Sequence, residues 1–177
     1  MIGKVYGIPP QPPVPEQTVY LEAGALRIGI EYRDVDPESL QATYAGDEAQ
    51  LTELETASPE GGFSDEGVSI HVCDAEDGHE YLRFDVFDDE PHYHYIHRTP
   101  DGAPAVNNVI EFDAVAHGDM LAWTIERLRT RLAAMLEAAG GAHLVDRLDM
   151  NVVGPAIDEV QQLAENVRAA HRTAVDC

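Results

Sequence analysis

The hydrophobic pattern of the chain changes from a period of two to a helical period near residue 114. Four short segments rich in β-branched and aromatic residues alternate apolar and polar positions, at 68–73, 81–88, 92–98 and 107–113. Such alternation is typical of strands that bury one face, and Asp, Gly and Pro separate the segments. The pattern therefore predicts a meander of antiparallel strands.

Helical periodicity on the C-terminal side predicts two longer helices. Asp119 is a suitable N-cap, and apolar residues recur on one stripe up to a Gly-Gly pair, so we expect a long helix at 119–139. Pro155 suits the first position of a last helix, whose apolar residues recur at coiled-coil spacing. That stripe can pack on its own sheet or pair with a second copy of the chain, which would give a homodimer.

Shorter elements precede the meander. Residues 18–32 alternate around Ala23-Gly24, which predicts a hairpin, and Asp36-Pro37 and the acidic start of 47–55 each favour a short helix. The fold class is therefore α+β. We expect an antiparallel meander sheet of four to six strands, with the long helix and the C-terminal helix packed on one face.

A proline-rich arm opens the chain. Five prolines between Pro9 and Pro15 fix φ and remove amide donors, which favours an extended polyproline-type arm over 1–16, lying on its own domain. The remaining residues, 17–177, suit a single α+β domain, because a chain of 177 residues is close to the usual size of one domain.

The chain is strongly acidic. It has 33 Asp and Glu against 11 Lys and Arg, a formal charge of −22, and 17 of the acidic residues lie between Asp36 and Glu90, where Arg83 is the one basic residue. This charge argues against nucleic-acid binding, which relies on Lys and Arg at the phosphates. It would attract a basic protein partner, although a solvated acidic face has the same composition.

The composition also bears on location. No apolar run is long enough to span a membrane, and the first residues lack the pattern of a secretory signal, so we expect a cytoplasmic protein with no membrane partner. Cys73 and Cys177 are too few for a disulfide framework and lack zinc-type spacing, which predicts reduced thiols.

Three of the eight histidines lie within six residues, at 92–97. Because side chains alternate along a strand, His92 and His94 share one face, and the tyrosines beside them point to the core. A two-residue turn at 89–90 would place Asp85 opposite His94. Extending the same alternation to the neighbouring strands predicts one polar sheet face, which holds His71, Arg83, Asp85, His92, His94, Glu111 and Asp113.

Three kinds of chemistry are consistent with this face. The first is one divalent metal ion, since imidazoles and carboxylates are common ligands. The expected metal ligands are His92, His94, Glu111, Asp85 and His71. The second is metal-free catalysis, in which Asp85 orients His94 as a general acid or base and Arg83 binds an anionic group. The third is a pH-sensitive surface of clustered histidines.

The alternative to chemistry is a face on which histidines only pair with acids, in solvent or against another subunit. Two hypotheses follow. The first is a domain that binds a metal or a small molecule through the polar face, with enzyme activity left open. The second is an acidic interaction domain of the inhibitor or immunity type, which binds a basic protein and has no catalysis.

Three blocks of sequence resemble a small bacterial domain family that has no assigned activity. The blocks are EYLRFDVF at 80–87, DEPHYHYI at 89–96 and GDMLAW at 118–123. The resemblance extends over about residues 63–150. It implies a compact α+β domain and carries no activity, cofactor or site residue.

Overall fold

The computed structural model describes residues 3–58, 60, 62–99 and 105–175. Met1, Ile2 and Cys177, which belong to the predictions of the arm and of the reduced thiols, lie outside these ranges. Within them, one antiparallel sheet has seven strands in the order β1-β7-β6-β5-β4-β3-β2. The strands are β1 Lys4–Tyr6, β2 Val19–Ala23, β3 Leu26–Val35, β4 Asp65–Asp74, β5 Glu80–Phe87, β6 His92–His97 and β7 Val106–Glu111.

The described residues also form helices before β4 and after β7. They are α1 Pro37–Thr43, α2 Glu48–Ala57, α3 Ala114–His117, α4 Met120–Thr130, α5 Leu132–Ala138, α6 Ala142–Val145 and α7 Met150–Val175. None of the helices in the described ranges has the length and apolar character needed to cross a membrane. The predicted α+β class is confirmed.

The main core lies between one face of the sheet and the C-terminal helices. The inward residues of β3, β4 and β5, such as Ile28, Ile70 and Phe84, are buried against apolar residues such as Leu128 and Ile157. α7 packs on β2, β3 and β4, while α4 and α5 contact β5. The predicted packing of both long helical segments on one face is therefore confirmed, and the opposite face is left for polar residues.

Seven strands replace the four to six expected. The additional strand is Lys4–Tyr6, which pairs with β7 so that Val5 lies opposite Asn108. Three residues are too few to produce a recognisable alternation. The strand therefore depends on the free edge of β7 rather than on a local sequence signal.

The helix boundaries also differ in two places. The helix predicted at 119–139 is interrupted at Arg131, where φ is −130° and ψ is 2°, although its apolar stripe continues across the break. The last helix begins at Met150, and Pro155 lies inside it. Its start is fixed by Asp149, whose carboxylate accepts the Asn151 amide and whose carbonyl oxygen accepts the Val152 and Val153 amides.

The proline-rich arm connects the two opposite edges of the sheet. β1 and β2 are separated by six strand spacings, which is about 29 Å at the usual spacing. The linking residues 7–18 span about 37 Å in a polyproline conformation, but only about 18 Å as a helix. Most of the arm must therefore be extended to cross one face of the sheet, although residues 14–18 form a turn in which the Val14 carbonyl oxygen accepts the Gln17 and Thr18 amides.

The arm is fastened to the face that it crosses by polar contacts at Gln11 and Val14. The Gln11 carbonyl oxygen accepts from Arg33 Nη1 at 3.2 Å and from Arg83 Nη1 at 2.7 Å, and its side-chain oxygen accepts from Arg33 Nη2 at 2.7 Å. The Val14 amide donates to Glu31 Oε2 at 2.9 Å. The centre of the arm thus closes over buried charged groups.

We expect Gln11→Ala to lower the free energy of unfolding by about 1.5–3 kcal/mol, because it removes an acceptor from a largely buried guanidinium. Chemical denaturation measures the change. Gln17→Ala, on the exposed end of the same arm, is the matched control and should change stability by less than about 0.5 kcal/mol. Equal effects of the two substitutions would contradict the anchoring role of Gln11.

Candidate functional site

The sheet face opposite the main core carries the predicted polar residues, and it is buried. Its buried side chains include Glu31, Arg33, Ser69, His71, Arg83, Asp85, His94 and Asn107. The arm crosses above them, and α1 and α2 contribute Leu40 and Leu54 to the wall of the remaining cavity. His94 therefore does not pair with an acid in open solvent.

The register between β5 and β6 differs from the expected one by two residues. Asp85 lies opposite His92 and Arg83 lies opposite His94, and six residues, 86–91, separate Asp85 and His92, the pair nearest the turn. The Asp65 carboxylate accepts the amides of Asp89 and Glu90, at 3.2 and 2.7 Å, and this fixes the wider turn. A shift of two residues keeps every side chain on its predicted face.

Asp85, His92 and His94 form a compact group of metal-ligand type. Asp85 Oδ2 lies 2.9 Å from His94 Nε2 and 3.3 Å from His92 Nε2. One donor atom of each residue lies within 4.8 Å of the others. Asp85 and His94 are buried, while His92 is partly open to the cavity. The structure thus brings together three of the five predicted metal ligands.

The other polar atoms of this group are held by a second set of contacts. His92 Nδ1 donates to the Glu90 carbonyl oxygen at 2.6 Å, and His94 Nδ1 donates to Asn107 Oδ1 at 2.7 Å. The Ser69 hydroxyl donates to Asp85 Oδ1. With Nδ1 carrying a proton on both rings, a neutral imidazole presents the lone pair of Nε2 towards Asp85 Oδ2.

Burial and pairing shift the pKa values of the group in different directions. Burial raises the pKa of Asp85, but hydrogen bonds from His92 and His94 outweigh it and hold this pKa well below its usual range. Burial lowers the pKa of His92, yet the hydrogen bond to Asp85 leaves it raised. For His94, burial prevails and the pKa is lowered. Asp85 is therefore ionised, and His94 favours its neutral form.

His71 belongs to a separate cluster. Its Nε2 lies 3.0 Å from Glu31 Oε1 and its Nδ1 lies 2.6 Å from Glu80 Oε1, so each ring nitrogen faces a different carboxylate. Burial lowers the pKa of His71, but the charges and hydrogen bonds of both acids outweigh burial and raise it. An imidazolium that donates to Glu31 and Glu80 fits this geometry, and His71 does not join Asp85, His92 and His94.

Arg83 is held by Glu80 and by the arm. Its Nε and Nη2 donate to the two oxygens of Glu80, at 2.8 and 2.6 Å, while Nη1 donates to the Gln11 carbonyl oxygen. Burial raises the pKa of Glu80, but the charge of Arg83 and then that of His71 reverse this shift and hold the pKa far below its usual range. The guanidinium lines the cavity while three of its five N–H groups are bonded to Glu80 and Gln11.

Glu111 and Asp113 lie at the margin of the site. Glu111 is opposite His92 in β7 and lines the same cavity, but it is exposed and its carboxylate is not part of the close donor group. Asp113 is exposed, follows β7 and caps α3 by accepting the Ala116 amide at 3.0 Å. Neither residue is placed with Asp85 and His94.

The cavity over this face has a volume of about 490 Å³ and is open to solvent on one side. Its floor is the polar face of the sheet, and its walls come from the arm, α1, α2 and the turn after β5. The Asp85, His92 and His94 group lies among its lining residues. A cavity of this size is within the range of small-molecule sites.

Sequence reasoning missed several residues of the site. Asn107 shares its face with Glu111, since the two are four residues apart on a strand, so alternation could have identified it. Glu31 could have been found in the same way, as a neighbour of His71 on the adjoining strand. Glu80 could not, because strict alternation places it with Leu82 and Phe84, and the register shift between Val72 and Cys73 changes its face. No local signal indicated that Gln11 would reach the face, because its position depends on the path of the whole arm.

Comparison with protein families matches residues 20–164 to a family described as Domain of unknown function (DUF7700). This result confirms the resemblance to an uncharacterised domain family, over a longer stretch than the residues 63–150 that carry the sequence resemblance. No curated protein and no solved structure matches the chain.

The raised pKa of His71 predicts that stability depends on pH. Because the folded protein binds this proton more tightly than the unfolded chain, the stabilisation is complete below about pH 6.5 and is lost as pH rises through the folded pKa. We expect the unfolding free energy of the wild type to fall over this window more steeply than that of His71→Gln. Denaturation between pH 6 and pH 9 measures the difference.

His143→Gln is the control for this comparison, because the His143 ring is exposed. It should retain the pH dependence of the wild type. The interpretation of His71 is wrong if His71→Gln shows the same slope as His143→Gln.

Proposed function

The chain belongs to the family Domain of unknown function (DUF7700), and from that premise, which names no activity, we propose that the protein binds one divalent metal ion through Asp85, His92 and His94. The bound ion would lie at the floor of a cavity that admits a small molecule. The observation that carries this proposal is the convergence of two imidazole nitrogens and one carboxylate oxygen within 4.8 Å.

The proton positions favour a cation in this group. Both Nδ1 atoms donate to oxygens, so each ring turns the Nε2 lone pair towards Asp85 Oδ2 unless the ring is doubly protonated, as the raised pKa of His92 favours for that residue. Three acceptors facing each other repel, and either added protons or a metal ion relieves the repulsion. A metal ion can bind the two Nε2 atoms and Asp85 Oδ2 at the same time, whereas one proton cannot.

The surrounding contacts are those expected of a metal site. Ligating histidines usually donate their second nitrogen to a carbonyl or carboxylate oxygen, which fixes ring orientation. Here the Glu90 carbonyl and the Asn107 side chain do so, while Ser69 holds the other oxygen of Asp85. Because the Glu90 amide is itself held by Asp65, the support of His92 is rigid.

The donor set suits a first-row divalent ion of the zinc or ferrous type, since it combines two imidazoles with one carboxylate. Three protein ligands leave coordination positions that face the cavity. When bound, such an ion supplies Lewis acidity or an activated water. His92 and His94 hold neutral nitrogens in place for it, and the walls of the cavity limit access of bulk water.

Metal-free catalysis and an acidic interaction domain have less support. In metal-free catalysis, Arg83 would bind an anionic group, but its guanidinium already bonds Glu80 and Gln11. For an acidic interaction domain, much of the acidic segment at 36–90 has structural contacts. Asp36 and Asp47 cap helices, Asp65 holds a turn, and Glu80 and Asp85 are paired in the interior.

Metal content tests the proposal. We expect the wild type, loaded with Zn²⁺, Fe²⁺ or Mn²⁺ and then dialysed, to retain about one ion per chain by elemental analysis. Asp85→Asn, which preserves shape and removes the charge, and His92→Ala/His94→Ala should retain far less. His117→Ala, at an exposed histidine outside the site, should bind as the wild type does. Equal metal in the wild type and the double variant would refute the proposal.

A second prediction concerns Asn107, which holds His94 and is not a ligand itself. Asn107→Leu should weaken metal affinity about 10- to 100-fold, because the His94 ring loses the acceptor that fixes its tautomer. Calorimetric titration with Zn²⁺ measures the affinity. Asn108→Leu is the matched control, since Asn108 is the next residue of the strand and its Oδ1 has no hydrogen-bond partner among the described residues. Similar losses in both variants would contradict the role of Asn107.

A further inference from the structure

We infer that the cavity binds an uncharged, largely apolar small molecule, which directs a single polar group towards Asp85, His92 and His94. This inference deepens the proposed function and rests on it only for the role of that polar group. The choice of ligand class comes from the walls of the cavity and from the pairing of its charges.

The walls of the cavity are predominantly apolar and come from several parts of the chain. The arm contributes Ile8 and Pro10, the two short helices contribute Leu40 and Leu54, and Phe63 lies on the segment before β4. On the sheet side, Phe87, Val109 and Phe112 continue the same surface. An apolar pocket with a few convergent polar groups is the usual form of a small-molecule site.

In the metal-free protein, both arginines among the described lining residues are already paired with carboxylates. Arg33 donates to Glu31 and to both oxygens of Gln11, and Arg83 donates to Glu80 and Gln11. The remaining formally charged lining residues, apart from the histidines, are the acids Asp85, Asp89, Glu90 and Glu111. Phosphate or carboxylate groups would therefore enter a negative mouth, and the paired arginines offer them no separate partner.

Cationic ligands are disfavoured for a different reason. Asp89, Glu90 and Glu111 are exposed at the rim, so their charges are screened by solvent. The interior acid, Asp85, already accepts from Ser69 and faces both histidines. An ammonium placed against the apolar walls would lose its hydration without gaining a dedicated partner.

A matched series of fluorescent probes tests the ligand class. The probes are 2-naphthalenemethanol, 2-naphthoate and 2-naphthalenemethylamine, which share a ring system and differ in charge. We expect the alcohol to bind at least about tenfold more tightly than either charged probe, by fluorescence titration of the full chain at pH 7. Each titration is run on metal-free protein, because a bound Zn²⁺ ion would itself attract the carboxylate.

Two substitutions on α2 locate the binding site. Leu54→Gln places an amide in the cavity wall and should weaken binding of the alcohol about tenfold. Leu51→Gln is the control, because Leu51 lies on the same helix and lines a different depression between α1 and α2. It should leave binding unchanged.

Several outcomes would overturn the inference. The inference is wrong if the alcohol does not bind, or if the carboxylate or the amine binds as tightly as the alcohol or more tightly. It is also wrong if Leu54→Gln and Leu51→Gln weaken binding of the alcohol equally. The metal experiment is judged separately. Alcohol binding without metal retention would support the ligand class and refute the metal centre. Metal retention without alcohol binding would support the metal centre and refute the ligand class.

Discussion

Burial of charged groups on one face of the sheet is the constraint on which the rest of the structure depends. A strand face that carries Glu31, Arg33, His71 and Arg83 can be covered only if each charge has a partner, because an unpaired charge in the interior is strongly unfavourable. Glu80 and Gln11 complete the pairing from β5 and from the arm. The arm thus stabilises the face by supplying backbone and side-chain acceptors to the guanidinium groups.

The topology and the site have a common origin in the path of this arm. A meander that begins with a strand at one edge and continues from the opposite edge forces the connecting residues across a face. Residues 7–18 cross over polar side chains, so the cover has to be polar towards Arg33 and Arg83 and can be apolar elsewhere. Ile8 and Pro10 form that apolar part and line the cavity.

The period of the strands made the faces predictable from sequence, but not the contacts within them. Asp85, His92 and His94 share a face in the structure even though the register between β5 and β6 is shifted by two residues from the expected one, since an even shift preserves alternation. Separation of His71 from this group could not be foreseen, because it depends on Glu31 and Glu80 reaching opposite nitrogens of one ring. Burial of the face was equally hidden, since the cover comes from distant segments whose own sequences specify only short helices and an extended arm.

The proposed metal ligands and the cavity wall lie on different parts of the fold. The donor atoms lie on β5 and β6 in the interior of the sheet, where hydrogen bonds on both sides of each strand hold Asp85, His92 and His94 in place. The cavity wall comes from the arm and from α1 and α2, which are not strands of the sheet. Because the donor atoms are held by the sheet and the wall comes from other elements, the shape of the cavity can change while the geometry of the donor atoms is retained. The proposed metal ligands and the apolar wall of the cavity therefore lie on elements that can vary independently of each other.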